Sequence, residues 1–562
     1  MSIEAIRAII PAMNTPSAAP GAANPLAEHP HFGRRCWSRR DWHAVLATVL
    51  LALLLRGVAT TRLGCISPDG VQFVTYAKQL AERPIETMKT TTKQPGFPWL
   101  LLGAYRVFGH SLAQDAPVAW QRTGQIFAVL GGVLVCLLVF VLARELFDQQ
   151  TALVAGILAA VWPQGVHLSA DVLSDMPHLA FYMVALLAAY RSLESGRVAG
   201  MAVCGLLAGL AYMSRQEALG LVLAAGICWL WRSEALTSRE RLIGVAALAL
   251  CFAAAVAPHS IATGRLLPNK NPWDMLFGQP QGPAAVLPPS TLLAEVIPLW
   301  GLPIRMAEAW GKSGRYVIST LFLLALVLRS TPRAPAVGRR LFIAAVLLQL
   351  LAVALRVRRH GEISSRYMII PLVLCLPWAA AGLSTFLNLL SARLRSGAYL
   401  RAIDVRSLGI VVAALPMLYY AAAPVNADRA GYRRAGEWLR EHAGPNDLVL
   451  AHERLGQIMY YAGRTYPSEA WMQCGADASP AVVEGQIAER HPLWYVDAEG
   501  SHHRWIDEDA HFRDLAAGAI AGLKEAFAAG PAGRRAFVFR VGPANAGEAA
   551  VGPSAAVTGR PR

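Results

Sequence analysis

Long apolar runs separated by short polar segments make up most of the chain between residues 42 and 423. A helix needs roughly 20 apolar residues to cross about 30 Å of hydrocarbon, and most of these runs approach that length. The pattern therefore predicts a polytopic α-helical membrane protein with about eleven transmembrane helices, within a range of about 10–13. The predicted spans are residues 42–62, 119–146, 151–168, 176–192, 198–213, 217–232, 240–262, 316–330, 340–358, 366–390 and 406–423.

After residue 423 the pattern changes to helical segments that alternate with short apolar runs. The segments "RAGYRRAGEWLREHA" and "RWIDEDAHFRDLAAGAIAGLKEAFAAG" have helical patterns, whereas "DLVLAH", "LWYVD" and "AFVFRV" have the character of strands. This order predicts a small C-terminal α/β domain with a partly parallel sheet. The predicted organisation is a disordered N-terminus over residues 1–41, a transmembrane domain over 42–423 whose first large loop (63–118) carries juxtamembrane helices, the α/β domain over 424–541, and a disordered tail over 542–562.

Composition agrees with a membrane protein and excludes several functional classes. The chain is 55% hydrophobic and only 16% charged, which is too little charge for the surface of a soluble protein of 562 residues. Its net charge of +15 does not indicate a nucleic-acid partner, because many of the Lys and Arg residues lie in short loops such as "RSLESGR" and "RSTPRAPAVGRR". The chain has no CxxC motif, and its C-terminal part has no P-loop and no GxGxxG motif, so zinc, redox and nucleotide sites have no sequence support.

Loop charge predicts how the protein lies in the plasma (inner) membrane. Alternate loops are short and basic, as cytoplasmic loops are, which places the N-terminus in the cytoplasm and the α/β domain outside it. The predicted outer loops contain residues 63–118, "SADVLSD", "SRQE", residues 263–315 and "RVRRHGEISSR". The last of these breaks the charge rule through Arg356, Arg358, Arg359 and Arg366, and we interpret this exception as a functional one.

The outer loops also contain acidic and basic residues near helix ends, where charges are costly and usually mark a site or a solvated rim. Asp69 could be a general base, or it could cap the helix that follows it. Lys93 could bind an anion, or it could only extend towards the membrane interface. Arg215 and Glu217 are interpreted first as a local ion pair.

Asp171 and Asp175 are four residues apart, so on one helix they would share a face. Capping of the helix before Pro177 is an alternative role for them. A divalent metal is a further alternative, although two carboxylates provide few ligands. We therefore predict no metal or other cofactor.

Several motifs occur in a characteristic order: "SPDGVQFVTYAKQL", "TTTKQPGFPWLLLGAYRVFG", "ADVLSDMPHLAFYMVALLAAY" and "GLLAGLAYMSRQEAL", followed by "SSRYMIIPLVL" and "AGEWLREHAGPNDLVLAHERLGQIMYYAGR". This ordered set resembles the polyprenyl-phosphate-sugar glycosyltransferases of the GT-C fold. That group includes the protein O-mannosyltransferases and the lipid A aminoarabinose transferases. The resemblance extends over residues 42–470 and is strongest over 65–220.

The resemblance implies a GT-C fold and an enzyme of the cell envelope. Its substrates would be a polyprenyl-phosphate-linked sugar and a glycan, lipid or protein acceptor. Matched to the family's motifs, Asp69 is the catalytic carboxylate, Asp175 is the acid of the second outer loop, and Lys93 meets the donor phosphate. Gly70 stands where many members have a second acid, and Gln94 stands where a Pro is common.

The chemistry of such a reaction agrees with these residues. A phosphate is a good leaving group, so the enzyme needs a base for the acceptor and cations for the departing phosphate. Asp69 and Asp175 are the catalytic candidates. The donor-phosphate candidates are Lys93, Arg358, Arg359 and Arg366, and the candidate substrate-binding residues are Asp171, Arg215 and Glu217. The alternative function is a transporter or flippase of a lipid-linked or anionic substrate, but no internal repeat is visible and the charges gather in the outer loops.

Overall fold

The computed structural model describes residues 37–91, 93–232, 236–265, 301–332, 336–360, 363–394, 404–464, 471–474, 480–499 and 523–542. The contacts described below lie within one unit of the chain, which begins at Ala44. The segments predicted to be disordered, 1–41 and 542–562, fall almost wholly outside the described residues.

Helices make up most of the described chain. They are α1 (Arg39–Thr61), α2 (Pro68–Glu82), α3 (Pro84–Thr90), α4 (Gly96–Ala104), α5 (Ala116–Leu146), α6 (Gln149–Val161), α7 (Pro163–Ala170), α8 (Asp175–Ser195), α9 (Val198–Ser214), α10 (Ala218–Leu230), α11 (Ser238–Thr263), α12 (Gly301–Ser313), α13 (Val317–Val327), α14 (Ala336–His360), α15 (Ile369–Leu394), α16 (Val405–Ala421), α17 (Ala430–His442), α18 (Gly456–Tyr461) and α19 (Pro480–Arg490). A π-helical turn (Tyr105–Gly109) and a short turn (His110–Leu112) follow α4, and a 3-10 turn (Ser365–Met368) precedes α15.

Each predicted span coincides with one of these helices, the third with the pair α6 and α7. Among the described residues, five helices are long and apolar enough to cross a membrane, and the bent pair raises the number to six. Four further apolar helices have only 10–17 residues. The helical membrane fold is therefore confirmed, whereas the number of eleven spans stays a prediction.

A buried arginine stabilises the break between α6 and α7, where the helix axis bends by 51°. Arg56 of α1 is 1% exposed, and its guanidinium donates to the Ala160 carbonyl at 3.2 Å and to the Ser169 hydroxyl at 3.1 Å. A helix end leaves carbonyls without intrahelical partners, and a buried guanidinium is costly unless it is hydrogen-bonded. Arg56 meets both requirements, although its place within an apolar run of the sequence does not indicate this role.

The C-terminal part contains a five-stranded sheet in the order β2-β1-β3-β5-β4. Its strands are β1 (Val449–His452), β2 (Trp471–Cys474), β3 (Trp494–Ala498), β4 (Leu523–Ala529) and β5 (Ala536–Val541). Strand β1 is parallel to β2 and β3, whereas β5 is antiparallel to β3 and β4. Leu450, Tyr495 and Phe539 contribute to the core on the sheet. The prediction of a small domain with a partly parallel sheet is confirmed.

Strand β4 corrects one prediction, because residues 504–530 were expected to form a helix. Residues 504–522 lie outside the described part, and residues 523–529 form an edge strand paired with β5. Gly530 and Gly533 adopt positive φ angles in the loop between the two strands, a conformation that glycine takes without steric cost. The ring of Phe527 stacks on Trp438 of α17 with the centroids 5.4 Å apart. Pairing and packing thus outweigh the helix propensity of the Ala-rich segment.

Candidate active site

The candidate site begins at the first turn of α2. Ser67 is the N-cap of this helix, and its hydroxyl accepts a hydrogen bond from the Gly70 backbone N–H at 3.2 Å. Pro68 occupies the first helical position, where its missing N–H costs nothing. The alternative in which Asp69 caps α2 is therefore wrong, and its carboxylate is available for other partners.

Both oxygens of Asp69 are engaged by cations. The Lys93 ammonium lies 2.7 Å from Oδ1, and the Arg366 guanidinium lies 2.7 Å from Oδ2. The Lys93 ammonium also lies 4.7 Å from the ring centroid of Phe73, one turn along α2. Lys93 is thus held in an ion pair and does not simply extend towards an interface. The Asp69 side chain remains 38% exposed, so it can still meet a substrate.

Arg366 connects Asp69 to a second, fully buried carboxylate. Asp175, at the start of α8, accepts from Arg366 at 2.6 Å and from Arg215 at 2.9 Å, and its side chain is 0% exposed. Arg215 in turn donates to Glu217 at 2.8 Å. These side chains form one row of alternating charges, which we call the charge row: Lys93, Asp69, Arg366, Asp175, Arg215 and Glu217.

Five different chain segments supply the charge row, and close backbone contacts bring them together. A Cβ atom at Gly96 would lie only 2.6 Å from the Met213 carbonyl, so glycine allows the segment after Lys93 to approach the end of α9. Asp175 lies in the first turn of α8, where the helix dipole favours negative charge. Two arginines on this buried carboxylate satisfy the rule that buried charges must be paired and hydrogen-bonded.

The ion pairs determine the pKa values of Asp69 and Glu217. The predicted span 217–232 includes Glu217, but helix α10 begins only at Ala218, so Glu217 lies just outside it. Burial alone would raise the pKa of Asp69, but the charge and hydrogen bond of Lys93, with the bonds from Arg366, hold it well below its usual range. Burial likewise opposes ionisation of Glu217, yet the charge of Arg215 lowers the pKa of Glu217 to about 2. Both carboxylates are therefore ionised at neutral pH.

Asp171 does not join the charge row. It is 3% exposed, and its carboxylate accepts from the Ser67 backbone N–H with both oxygens at 3.1 Å and from the Asn426 amide at 3.3 Å. The shared-face prediction for Asp171 and Asp175 is wrong, because α7 ends at Ala170 and α8 begins only at Asp175. Within the described residues no group of three or more His, Cys, Asp or Glu side chains could hold a metal ion.

The remaining basic candidates divide into two groups. The guanidinium of Arg356 lies over the ring of Tyr367, 4.3 Å from its centroid. Helix α14 includes Arg358 and Arg359, but their side chains lie outside the described residues, as does most of the predicted outer loop 263–315. Gln164 was not among the predicted site residues. It follows Pro163 and forms hydrogen bonds with Ser313 and with Ser365, which precedes Arg366. Its only sequence signal is an amide inside an apolar run.

The lowered pKa of Glu217 predicts a pH-dependent contribution to stability. A carboxylate whose pKa is lower in the folded state stabilises the fold above its unfolded pKa, and this contribution is lost as the pH falls. The parent protein should therefore lose stability below about pH 4.5 partly through Glu217. Glu217→Gln should cost about 3 kcal/mol at pH 7, since it leaves Arg215 one partner short. When the pH falls from 6 to about 3, the stability of the Glu217→Gln variant should decrease less than the stability of the parent protein.

Thermal unfolding in detergent at several pH values measures this effect. Glu86→Gln is the matched control, because Glu86 forms an exposed pair with Arg83, with side chains 65% and 74% exposed. The control should follow the parent at every pH. Parallel pH curves for the parent and Glu217→Gln would contradict the prediction.

Comparisons with known proteins show a family similarity for part of the chain and a similarity of fold for most of it. Residues 92–261 match the family model described as dolichyl-phosphate-mannose-protein mannosyltransferase. This range includes Lys93, Asp175, Arg215 and Glu217, while Asp69 and Arg366 lie on either side of it. A search of curated proteins finds no significant match.

Solved structures share the fold at low sequence identity. ArnT from Cupriavidus metallidurans, solved with undecaprenyl phosphate, is 13% identical with a TM-score of 0.53, covering 91% of this chain and 100% of its own. The oligosaccharyltransferase AglB from Archaeoglobus fulgidus, solved with an inhibitory peptide and a dolichol-phosphate, is 14% identical with a TM-score of 0.51, covering 82% of this chain and 70% of its own. The resemblance and the fold class predicted from the sequence are confirmed: this chain has the fold of the GT-C glycosyltransferases, and residues 92–261 match a mannosyltransferase family within that group.

Proposed function

We propose that this protein transfers a sugar from a polyprenyl-phosphate-linked donor to an acceptor, with Asp69 as the general base. The observation that carries the proposal is a partly exposed carboxylate held between two cations at one end of a helical membrane bundle. The undecaprenyl phosphate and dolichol-phosphate bound to proteins of the same fold support a lipid phosphate as the donor's leaving group.

The two catalytic candidates differ in exposure, which suggests different roles. The Asp69 side chain is 38% exposed and can touch an acceptor hydroxyl. The Asp175 side chain is 0% exposed and already accepts from two arginines. We therefore assign proton transfer to Asp69 and give Asp175 the role of positioning Arg366, which revises the sequence-based assignment of both as catalytic.

Donor binding must rearrange the charge row. The row contains three cations and three carboxylates, so as a unit it has no excess positive charge for a phosphate. Lys93 and Arg366 can bind the donor only by sharing or leaving Asp69. Withdrawal of these cations raises the pKa of Asp69 towards the range in which it can accept a proton. Asp69 thus becomes an effective base only after the donor phosphate has arrived.

The transfer step then balances in charge and atoms. An acceptor hydroxyl gives its proton to Asp69 and forms a bond to the anomeric carbon of the sugar. The bond between that carbon and the phosphate oxygen breaks, and the polyprenyl phosphate leaves with the electron pair. Lys93 and the planar fork of Arg366 stabilise the additional charge on the phosphate. A single in-line displacement of this kind inverts the anomeric configuration.

Substitution of Asp69 tests the base. Asp69→Asn should lower sugar transfer by about 10²- to 10⁴-fold, the usual cost of losing a general base. The assay measures the release of polyprenyl phosphate from synthetic undecaprenyl-phosphate hexoses and pentoses by the purified protein. Glu82→Gln removes an exposed carboxylate from the same helix and should retain the parent's rate. Turnover by Asp69→Asn at the parent's rate would disprove the base.

Arg366→Lys tests the phosphate clamp, since one ammonium cannot bridge Asp69 and Asp175 as the guanidinium does. We expect donor use to fall about tenfold or more in detergent without anionic lipid, the range of a lost charge-assisted hydrogen bond. Arg356→Lys is the matched control, because Arg356 covers the Tyr367 ring, a contact that a Lys can replace.

A double substitution gives a further check on the clamp. Lys93→Ala should weaken the same step, so that combining it with Arg366→Lys is less than additive. Equal and mild effects of Arg356→Lys and Arg366→Lys, both reversed by anionic lipid, would instead indicate contact with lipid headgroups.

The proposal also requires one orientation of the protein in the membrane, with the charge row on the extracytoplasmic side. Loop charge favours a cytoplasmic N-terminus and an extracytoplasmic C-terminal domain, so the charge row would face outwards. An alkaline phosphatase fusion at the C-terminus should be active, and a fluorescent protein that folds only in the cytoplasm should be dark at the same position. The opposite pair of results would place the charge row on the cytoplasmic side and reject the extracytoplasmic reaction.

A further inference from the structure

The C-terminal part of the chain from residue 424, which contains the five-stranded sheet and is here called the sheet domain, contacts residues 63–66 before α2. The backbone N–H of Gly64 donates to the Val425 carbonyl at 2.9 Å, and the Asn426 amide donates to the Cys65 carbonyl at 2.9 Å. Leu63 and Val425 form a parallel bridge beside this contact. The segment between α1 and Asp69 is therefore attached to the strand-like stretch that opens the C-terminal part.

Helix α18 fixes the next residue of that segment. The Tyr461 hydroxyl accepts from the Ile66 N–H at 3.2 Å and donates to the Gln121 side chain of α5 at 2.8 Å. The Gln457 amide donates to the Ile66 carbonyl. Ile66 and Tyr461 are each 0% exposed, and burial raises the pKa of Tyr461 far above its usual range. The hydroxyl therefore stays protonated and can serve as donor and acceptor together.

These contacts lie three residues before the proposed base. The Ser67 N–H is bound by Asp171, and the Ser67 side chain caps α2. A shift at Ile66 would therefore be transmitted through the cap to the first turn of α2, which directs Asp69 towards Lys93 and Arg366. None of these connections involves the charge row itself.

We propose that Tyr461 and Gln457 are positioning residues: the sheet domain holds Ile66 and thereby sets the place of Asp69 relative to Lys93 and Arg366. This assignment rests on the proposed role of Asp69. It gives the C-terminal domain a part in the reaction without any contact to the reacting atoms.

Two neighbouring tyrosines provide a matched test. Tyr461→Phe removes the hydroxyl that binds Ile66 but keeps the ring. Tyr460→Phe removes an equally buried hydroxyl from the same helix, which donates to the Pro117 carbonyl and does not bind residues 64–67. Both variants should unfold at similar temperatures. Gln457→Met is a second variant that removes the bond to the Ile66 carbonyl should Tyr461→Phe fail to fold.

Two measurements on the full-length protein decide the proposal. Amide hydrogen exchange of peptides covering residues 64–70 should be faster in Tyr461→Phe and unchanged in Tyr460→Phe. The kcat for the undecaprenyl-phosphate hexose or pentose that the parent uses should fall roughly ten- to hundredfold in Tyr461→Phe, because misplacement by about 1 Å can cost that much. The KM for the donor should change little, since the phosphate ligands remain.

The outcomes separate the two proposals. Unchanged exchange in Tyr461→Phe, or faster exchange with unchanged kcat, would overturn the positioning role. Equal losses of kcat in Tyr461→Phe and Tyr460→Phe would show that both tyrosines only support the domain contact. The parent protein could also fail to turn over any of the donors while exchange is faster in Tyr461→Phe alone. That result would reject the proposed transfer reaction and retain the contact of Tyr461 with Ile66.

Discussion

The double ion pair of Arg366 with Asp69 and Asp175 is the interaction on which the rest of the site depends. The guanidinium of Arg366 bridges Asp69, in the first turn of α2, and Asp175, in the first turn of α8, with N–O distances of 2.7 and 2.6 Å. The planar fork of an arginine can hold two carboxylates in fixed directions, which a lysine cannot do. Arg215 and Lys93 extend this bridge at its two ends, so that one guanidinium connects the two halves of a row of six charged side chains.

The individual residues of this site and the local ion pair of Arg215 with Glu217 could be predicted, but the connections between residues far apart in the sequence could not. Motifs in order along the chain indicated Asp69, Lys93 and Asp175, and a violation of the charge rule indicated Arg366. The pairing of Arg366 with Asp69 joins residues 297 positions apart, and no sequence period encodes such a distance. Local spacing was misleading for Asp171 and Asp175, because the helix is interrupted between Ala170 and Asp175 and helical spacing does not hold across the break.

The same limit applies to the fold. Apolar runs predicted the helices, since burial in lipid or protein depends on composition. The strand at residues 523–529 was expected to be helical, because its Ala, Lys and Glu residues favour helices and its pairing with β5 is not visible in composition. Arg56 was overlooked for a similar reason. Its value to the protein depends on the Ala160 carbonyl, which is available only because the helix breaks at Pro163.

The charge row has a property that the proposed binding of a donor phosphate would need. Placing unpaired cations near hydrocarbon would be costly, and each cation in the row is therefore matched by a carboxylate. The matching differs along the row. Asp175 is fully buried and Glu217 is 19% exposed, whereas Asp69 is 38% exposed. Ion pairs weaken as solvent reaches them, so the pairs of Asp69 are the ones that an incoming anion can exchange most easily. In the proposed reaction, the buried end of the row would keep Arg366 in place while its exposed end changes partners, so that one cluster would serve as both a rigid support and a binding site.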